Sequence, residues 1–143
     1  MSPINWARLE NRSVKFSADE IAKAVEAAQA LPSRKGKANK VEALWPMAKP
    51  MPTLEQLDFR NLTAGTVDLD KLQASDDSMK RDNLIWHIQN PGEAKNKNPF
   101  TTAPIVMNMD DSSQVIVDGH HRLSALKLLG ASTAAATIVP AKD

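Results

Sequence analysis

The sequence predicts a domain that mixes helices and strands, of α/β or α+β class, with a small mixed sheet at its centre. Its 143 residues are 42% hydrophobic and 24% charged, which is the composition of a globular protein long enough to bury one core. Short β-branched runs alternate with stretches of helical apolar spacing between residues 65 and 139. One such run, at 114–118, passes through a glycine directly into a helical stretch, which predicts a strand–glycine–helix corner.

The N-terminal part of the chain, residues 1–60, is predicted to be a helical extension that precedes the main domain at 61–143. Its clearest element is a helix over 17–31, where Ser17 and Glu20 form a capping box and a proline follows the last turn. Apolar residues recur on one face of this helix at helical spacing. That face is expected to cover the main domain or a partner.

The next segment, 32–53, is predicted to be an irregular, proline-rich connector with one helical turn near 41–44. It carries a basic cluster, which consists of Arg34, Lys35, Lys37 and Lys40. The cluster could contact phosphate. A solvated basic loop is the favoured interpretation, because surface lysines are common without any such role.

The main domain is predicted to begin with a short strand at 65–72. A helix is expected at about 78–89, and Ser75 or Asp77 could cap it. Residues 90–102 are rich in proline, glycine and asparagine, and they predict a loop.

The second half of the main domain is predicted to contain a β-hairpin, a helix and a last strand. The hairpin covers 103–119, with its turn at 110–113. Its second strand leads into a helix at 120–129, which Gly130 ends in the manner of a glycine C-cap. Residues 133–139 predict the last strand.

The corner at 118–122 concentrates basic side chains where a helix alone does not favour them. His120, His121 and Arg122 follow Gly119, so two of the three histidines of the chain lie here. A helix N-terminus carries unpaired N–H groups and a partial positive charge, so each cation there costs about 0.3–1 kcal/mol. A bound anion makes these cations favourable instead of unfavourable, and glycine lets the backbone approach the anion closely. The corner therefore predicts a phosphate site to which these four residues contribute.

A purely structural interpretation of the corner stays open. Asp118 could cap the helix, with the two following histidines half-exposed on the surface. A histidine metal site is disfavoured, because His120 and His121 are adjacent and diverge on a helix. His87 lies on another predicted helix and is expected to pack or to face solvent.

The stretch VIVDGHHRLSALKLLG, at 115–130, resembles the signature of the ParB N-terminal and sulfiredoxin superfamily, and the resemblance covers about residues 66–139. It implies a hairpin, a glycine corner and a helix that binds the phosphates of a nucleotide. The letters D-G-H-H-R at 118–122 match the free-serine-kinase-like branch. His120 stands where sulfiredoxins have their cysteine, so sulfiredoxin chemistry is not expected.

The resemblance and the corner together predict a Mg²⁺-dependent phosphotransferase or nucleotide hydrolase. The expected cofactors are Mg²⁺ and a nucleoside di- or triphosphate (ATP, ADP or CTP). The acceptor is a small hydroxyl compound or a protein side chain, and Asp118 is the expected metal ligand. Asp76 or Asp77 is expected to act as general base, with His120 assisting in proton transfer. Helix caps are an equally good interpretation of the two aspartates.

Two other function classes remain open. A ParB-like nuclease or DNA-associated protein could bind Mg²⁺ through Asp68 and Asp70, although a solvated strand face is the favoured interpretation of these residues. The other class is a non-catalytic nucleotide-binding module of a phage or mobile-element system. Because the net charge is only +1, nucleic acid could bind only through a local patch.

Composition limits the chemistry and the location. The absence of cysteine excludes disulfides, thiolate catalysis and cysteine zinc sites. No apolar run approaches the length of about 18 residues that a transmembrane helix needs, so no membrane partner is expected. The N-terminal residues lack the apolar run of a secretory signal, and a cytoplasmic protein is expected.

Overall fold

The structure is a computed structural model that describes residues 2–91, 93, 104–109 and 111–142. These residues form a mixed α+β fold with four α-helices and two β-sheets. The helices are α1 (Pro3–Ser13), α2 (Ala18–Ala30), α3 (Arg81–Gln89) and α4 (His120–Leu128). The strands are β1 (Ser33–Arg34), β2 (Lys37–Glu42), β3 (Thr63–Asp68), β4 (Leu72–Gln73), β5 (Ser78–Lys80), β6 (Ile105–Asn108), β7 (Gln114–Asp118) and β8 (Thr133–Pro140).

The larger sheet has five strands in the order β3-β8-β6-β7-β4 and is mixed, as the sequence predicts. The predicted hairpin is confirmed, since β6 and β7 are antiparallel with Val106 opposite Ile116. The last strand is also confirmed, and it pairs antiparallel with β3 and parallel with β6. At the other edge β4 runs parallel to β7, with Gln73 opposite Val115, so the segment after β4 continues towards the C-terminal end of β7.

The smaller sheet, β1-β2-β5, corrects the prediction of an irregular connector with a helical turn near residues 41–44. Gly36 has a φ of 78° and turns the chain between β1 and β2. Val41 is buried opposite Met79 of β5. The sequence signal is weak because β2 is mostly polar and exposed, and it is a strand because it pairs with β5.

The start of α3 also differs from its prediction. Residues 78–80 belong to β5, so the helix begins at Arg81, and neither Ser75 nor Asp77 caps it. The Asp82 N–H instead donates to Asn39 Oδ1 of β2, at 3.3 Å. Most of the loop predicted at 90–102 lies outside the described residues.

Helix α2 is confirmed with its capping box. The Glu20 N–H donates to Ser17 Oγ at 3.1 Å, and the Ser17 N–H donates to Glu20 Oε1 at 2.9 Å. Helix α4 is confirmed as well, and Gly130 follows it with a φ of 92°. Both helices therefore have the ends that their local sequence signals predict.

The first 60 residues contribute side chains to the interior of the molecule. Val41 and Leu57 are fully buried, and Trp45 packs in the main core against the sheet and α4. The Trp45 indole N–H donates to the Leu69 carbonyl at 2.6 Å. In α1, the buried Asn11 exchanges two hydrogen bonds with the backbone of Ala135, at 2.8 and 2.9 Å. These contacts join residues 1–60 closely to residues 61–143.

Within the described part of the chain, no helix combines the length and the apolar character that crossing a membrane requires.

Candidate functional site

The corner between β7 and α4 is built on a glycine that no other residue replaces without strain. Gly119 has a φ of 93°, in the left-handed region, and a Cβ there would lie 2.9 Å from Pro104 Cα. Glycine alone adopts this conformation at low cost and leaves room for Pro104. The corner therefore holds the start of α4 directly against the segment that leads into β6.

The N-terminus of α4 has no side-chain cap. Asp118, the candidate cap, uses Oδ1 to accept a hydrogen bond from the Gly119 N–H at 2.9 Å. Gly119 is itself the N-cap residue, and its carbonyl accepts from the Leu123 N–H at 2.9 Å. Interpreting Asp118 as the helix cap is therefore wrong. The first-turn N–H groups of α4, on residues 120–122, have no side-chain acceptor within the described residues.

A cavity of about 440 Å³ opens at this corner, beside the C-terminal ends of the parallel strands β4 and β7. The C-terminal edge of parallel strands is where α/β sheets commonly bind ligands. The cavity is lined by Ser75, Asp76, Ser78, Asn83, His87, Val117, Asp118, Gly119, His120, His121 and Arg122. All the candidate site residues except Asp77 therefore meet at one cavity.

The two candidate base residues, Asp76 and Asp77, lie in different places. Asp76 is exposed and lines the cavity, where its charge acts on His120 and His121. Asp77 lines a separate surface cavity and pairs with Arg34, with 3.0 Å between Oδ2 and Nη1. The hydrogen bond from Arg34 lowers the pKa of Asp77. The candidate role of Asp77 at the corner is therefore not supported by its position.

His120 links the two strand ends that border the cavity. Its Nε2 accepts a hydrogen bond from the Ser75 N–H at 3.2 Å, which places the proton of the neutral ring on Nδ1. The Ser75 hydroxyl donates to the Ile116 carbonyl. Burial lowers the pKa of His120, and the nearby charges of Asp76 and Asp118 act in the opposite direction. With Nε2 engaged, Nδ1 is the atom that could donate to a ligand.

His121 and Arg122 bring unpaired polar atoms to the cavity wall. His121 Nε2 and Arg122 Nη1 are buried, and neither has a hydrogen-bond partner among the described residues. Burial lowers the pKa of both side chains; the charge of Asp118 opposes this for Arg122. A buried polar atom without a partner costs about 1–3 kcal/mol. Arg122 Nη1 is always a donor and therefore needs an acceptor, and His121 Nε2 needs a hydrogen-bond partner, and the described chain supplies neither.

The residues at the cavity fit a metal ion only together with a ligand. Among the described residues there is no group of three or more His, Cys, Asp or Glu side chains placed to hold a metal. Two carboxylates, Asp76 and Asp118, do line the cavity. Mg²⁺ is commonly bound by one or two carboxylates plus the phosphates of a substrate. Asp76 and Asp118 could therefore supply the carboxylates for a metal ion whose other ligands come from a bound molecule.

Five residues that line the cavity are not among the predicted site residues, and two of them are polar side chains of α3. Asn83 and His87 come from α3 and complete the wall opposite the corner. His87 is buried, and its ring centroid lies 6.1 Å from that of His121. A histidine in a helical pattern predicts packing or exposure equally well. No local signal could have placed either residue at the cavity.

The carboxylates considered for a nuclease lie away from the cavity lining. Asp68 Oδ1 accepts a hydrogen bond from the Asp70 N–H at 2.9 Å, which shapes the turn after β3. Asp70 also pairs with Lys127 at 3.4 Å. Asp68 lies 4.0 Å from Lys71 in a weak exposed pair. These contacts account for both aspartates without a metal.

No protein-family model, no curated protein and no solved structure matches this chain. The geometry of the cavity is therefore the basis for any proposal about function.

Stability is expected to fall when the pH drops below about 6.5, the ordinary pKa of histidine. Burial lowers the pKa of His120 and His121 in the folded protein, so the unfolded chain takes up protons first. The stabilisation is present above this pH and is lost towards lower pH. Urea unfolding of the ligand-free protein at about pH 7.5 and about pH 5.5 measures the loss. His121→Gln is expected to lose less stability than the parent between these pH values; an equal loss contradicts the assignment.

Proposed function

We propose that the corner cavity binds the phosphates of a nucleotide, and that the protein is a Mg²⁺-dependent phosphotransferase or nucleotide hydrolase. The observation that carries the proposal is the pair of buried, unpaired atoms on His121 and Arg122 at the uncapped N-terminus of α4. The likeness of residues 118–122 to the ParB N-terminal and sulfiredoxin signature supports the same proposal. We also propose that the chain has the fold of that superfamily, including its phosphate-binding corner.

Electrostatics at the helix end favour an anionic ligand. The N-terminus of a helix carries about half a positive charge, and Arg122 adds a guanidinium beside it. Without an anion this arrangement costs free energy, whereas a phosphate gains charge-assisted hydrogen bonds of about 1.5–3 kcal/mol each. A guanidinium also matches two phosphate oxygens at once. The same residues that are unfavourable in the free protein thus become favourable donors to a phosphate.

The dimensions of the cavity suit a nucleotide. At about 440 Å³ it falls within the range of about 300–1,000 Å³ typical of small-molecule sites. Gly119 lines this cavity as the N-cap residue of α4, so a phosphate held there lies next to the first-turn N–H groups of the helix. Residues of α3 and of the segment after β4 form the remaining walls.

Asp76 is the side chain best placed to act on an acceptor. It lines the cavity, it is exposed, and it faces the same two histidines that border the phosphate site. As a general base it would take the proton from an acceptor hydroxyl while that oxygen attacks the terminal phosphorus and the bond to the nucleotide breaks. The acceptor is water for a hydrolase, and an alcohol for a phosphotransferase. Asp118 is the carboxylate proposed to hold Mg²⁺, which neutralises phosphate charge when bound.

The proposal is tested by thermal shift of the parent protein with ATP, ADP, CTP and GTP, each with and without Mg²⁺, together with an assay for released phosphate. A Mg²⁺-dependent rise in melting temperature with turnover is expected for at least one nucleotide. A shift without turnover favours the non-catalytic nucleotide-binding module. Cleavage of DNA in Mg²⁺ with no nucleotide response favours the nuclease, and no response to any nucleotide contradicts the proposal.

A further inference from the structure

Helix α1 places a second arginine next to the corner. The buried Asn11 of α1 hydrogen-bonds both the N–H and the carbonyl of Ala135, on a part of β8 that extends beyond its pairing with β6. This double hydrogen bond fixes α1 to the sheet edge, as a neighbouring strand would. Arg8 lies one helical turn before Asn11 and therefore has a defined place beside the same edge.

Arg8 and Arg122 line the same small cavity, which has room for about one oxygen atom at 10 Å³. Asn11 and Pro104 also border it. Arg122 lines the corner cavity as well, so the two cavities share this residue. Arg8 is therefore the cationic residue that lies next to the corner cavity through a shared arginine.

The small cavity itself supplies no acidic partner to either guanidinium, although the charge of Asp118, in the corner cavity, acts on Arg122. Arg8 Nε and Arg122 Nη1 are both buried without a hydrogen-bond partner among the described residues. No described acidic residue lines the small cavity. Arg12, one turn further along α1, does have an acidic partner, since its Nε lies 3.0 Å from Glu93 Oε1. Two arginines that line one small cavity with unpaired buried atoms are unfavourable there unless an anion pairs with them.

We propose that Arg8 is a further anion-binding residue, and that one oxyanion group of the ligand bridges Arg8 and Arg122. This inference rests on the proposed function and assigns to α1 a direct part in the site. The bridging group is a phosphate or a carboxylate, since both present two oxygens to a guanidinium fork.

The test compares the parent, Arg8→Leu and Arg12→Leu by calorimetric titration with pyrophosphate, inorganic phosphate and sodium acetate. Arg12 is the matched control, because it lies on the same helix but already has its own partner. Arg8→Leu is expected to weaken pyrophosphate binding at least about tenfold, whereas Arg12→Leu binds as the parent does. Dependence on Arg8 for acetate, but not for the phosphates, identifies the bridging group as a carboxylate.

The outcomes separate this inference from the proposed function. If the parent binds pyrophosphate and Arg8→Leu binds all three probes as tightly, Arg8 has no part in the site and this inference alone fails. If the parent binds none of the probes, both proposals fail. Arg8→Gln keeps most of the side-chain stem and gives the same comparison should the leucine variant not fold.

Discussion

Asp76→Asn is expected to lower nucleotide turnover by about 10²–10⁴-fold and to leave nucleotide binding nearly unchanged. Asp76 lines the corner cavity and faces His120 and His121, whereas the unpaired atoms that would bind phosphate belong to other residues. The amide keeps the size of the side chain but cannot accept the acceptor proton. Steady-state release of phosphate and titration of the same nucleotide measure the two effects separately.

Asp77→Asn is the matched control for this prediction. Asp77 is the next residue in the chain, but it pairs with Arg34 outside the corner cavity. Its substitution removes one exposed ion pair, which contributes little to stability, and is expected to leave turnover at the parent rate. If Asp77→Asn lost turnover and Asp76→Asn did not, Asp76 would not be the general base.

A chain that starts at Leu62 is expected to be unfolded in isolation. It lacks three large buried side chains, those of Val41, Trp45 and Leu57. Each such side chain contributes about 1.5–3 kcal/mol on burial, against a total stability of about 5–15 kcal/mol for a typical protein. The truncated chain also lacks β2, the strand that pairs with β5. The division that the sequence predicts, with an extension at 1–60 and a main domain at 61–143, leads to the opposite expectation.

Circular dichroism and urea titration test this prediction. The chain from Leu62 is expected to show no cooperative unfolding transition. A chain that starts at Lys15 is the control, since it lacks α1 but keeps the other helices and both sheets, and is expected to retain a transition at lower urea. A cooperative transition in the chain from Leu62 would mean that residues 61–143 form an independent domain after all.

Elements with strong local signals could be predicted from the sequence. The capping box of α2, the hairpin of β6 and β7, the glycine end of α4 and the last strand all occur where the sequence indicates. The β1–β2 hairpin could not be predicted, because its polar, exposed strand is stabilised by pairing with β5, about 40 residues further along the chain. Residues 78–80, which a local pattern assigns to the start of α3, form β5 in the same pairing.

The candidate site, like the fold, could be predicted only where its residues are neighbours in the sequence. Residues 118–122 are contiguous, so their shared corner could be predicted from one stretch of sequence. Choosing between Asp76 and Asp77 needs the parallel pairing of β4 with β7 and the position of Arg34, neither of which is local. Arg8 and the α3 residues reach their cavities only through tertiary packing. Sequence reasoning therefore finds the corner at 118–122 but not the walls of the cavity around it.

The central claim, that the N-terminus of α4 binds phosphate, is tested most directly by calorimetric titration of pyrophosphate into the parent, Arg122→Ala and Lys127→Ala. Lys127 is the control, a cation at the other end of α4 that contacts Asp70 and the Trp45 ring. The parent and Lys127→Ala are expected to bind alike, and Arg122→Ala at least about tenfold more weakly, the effect of losing about 1.4 kcal/mol. A folded Arg122→Ala protein that binds pyrophosphate as tightly as the parent would contradict the account.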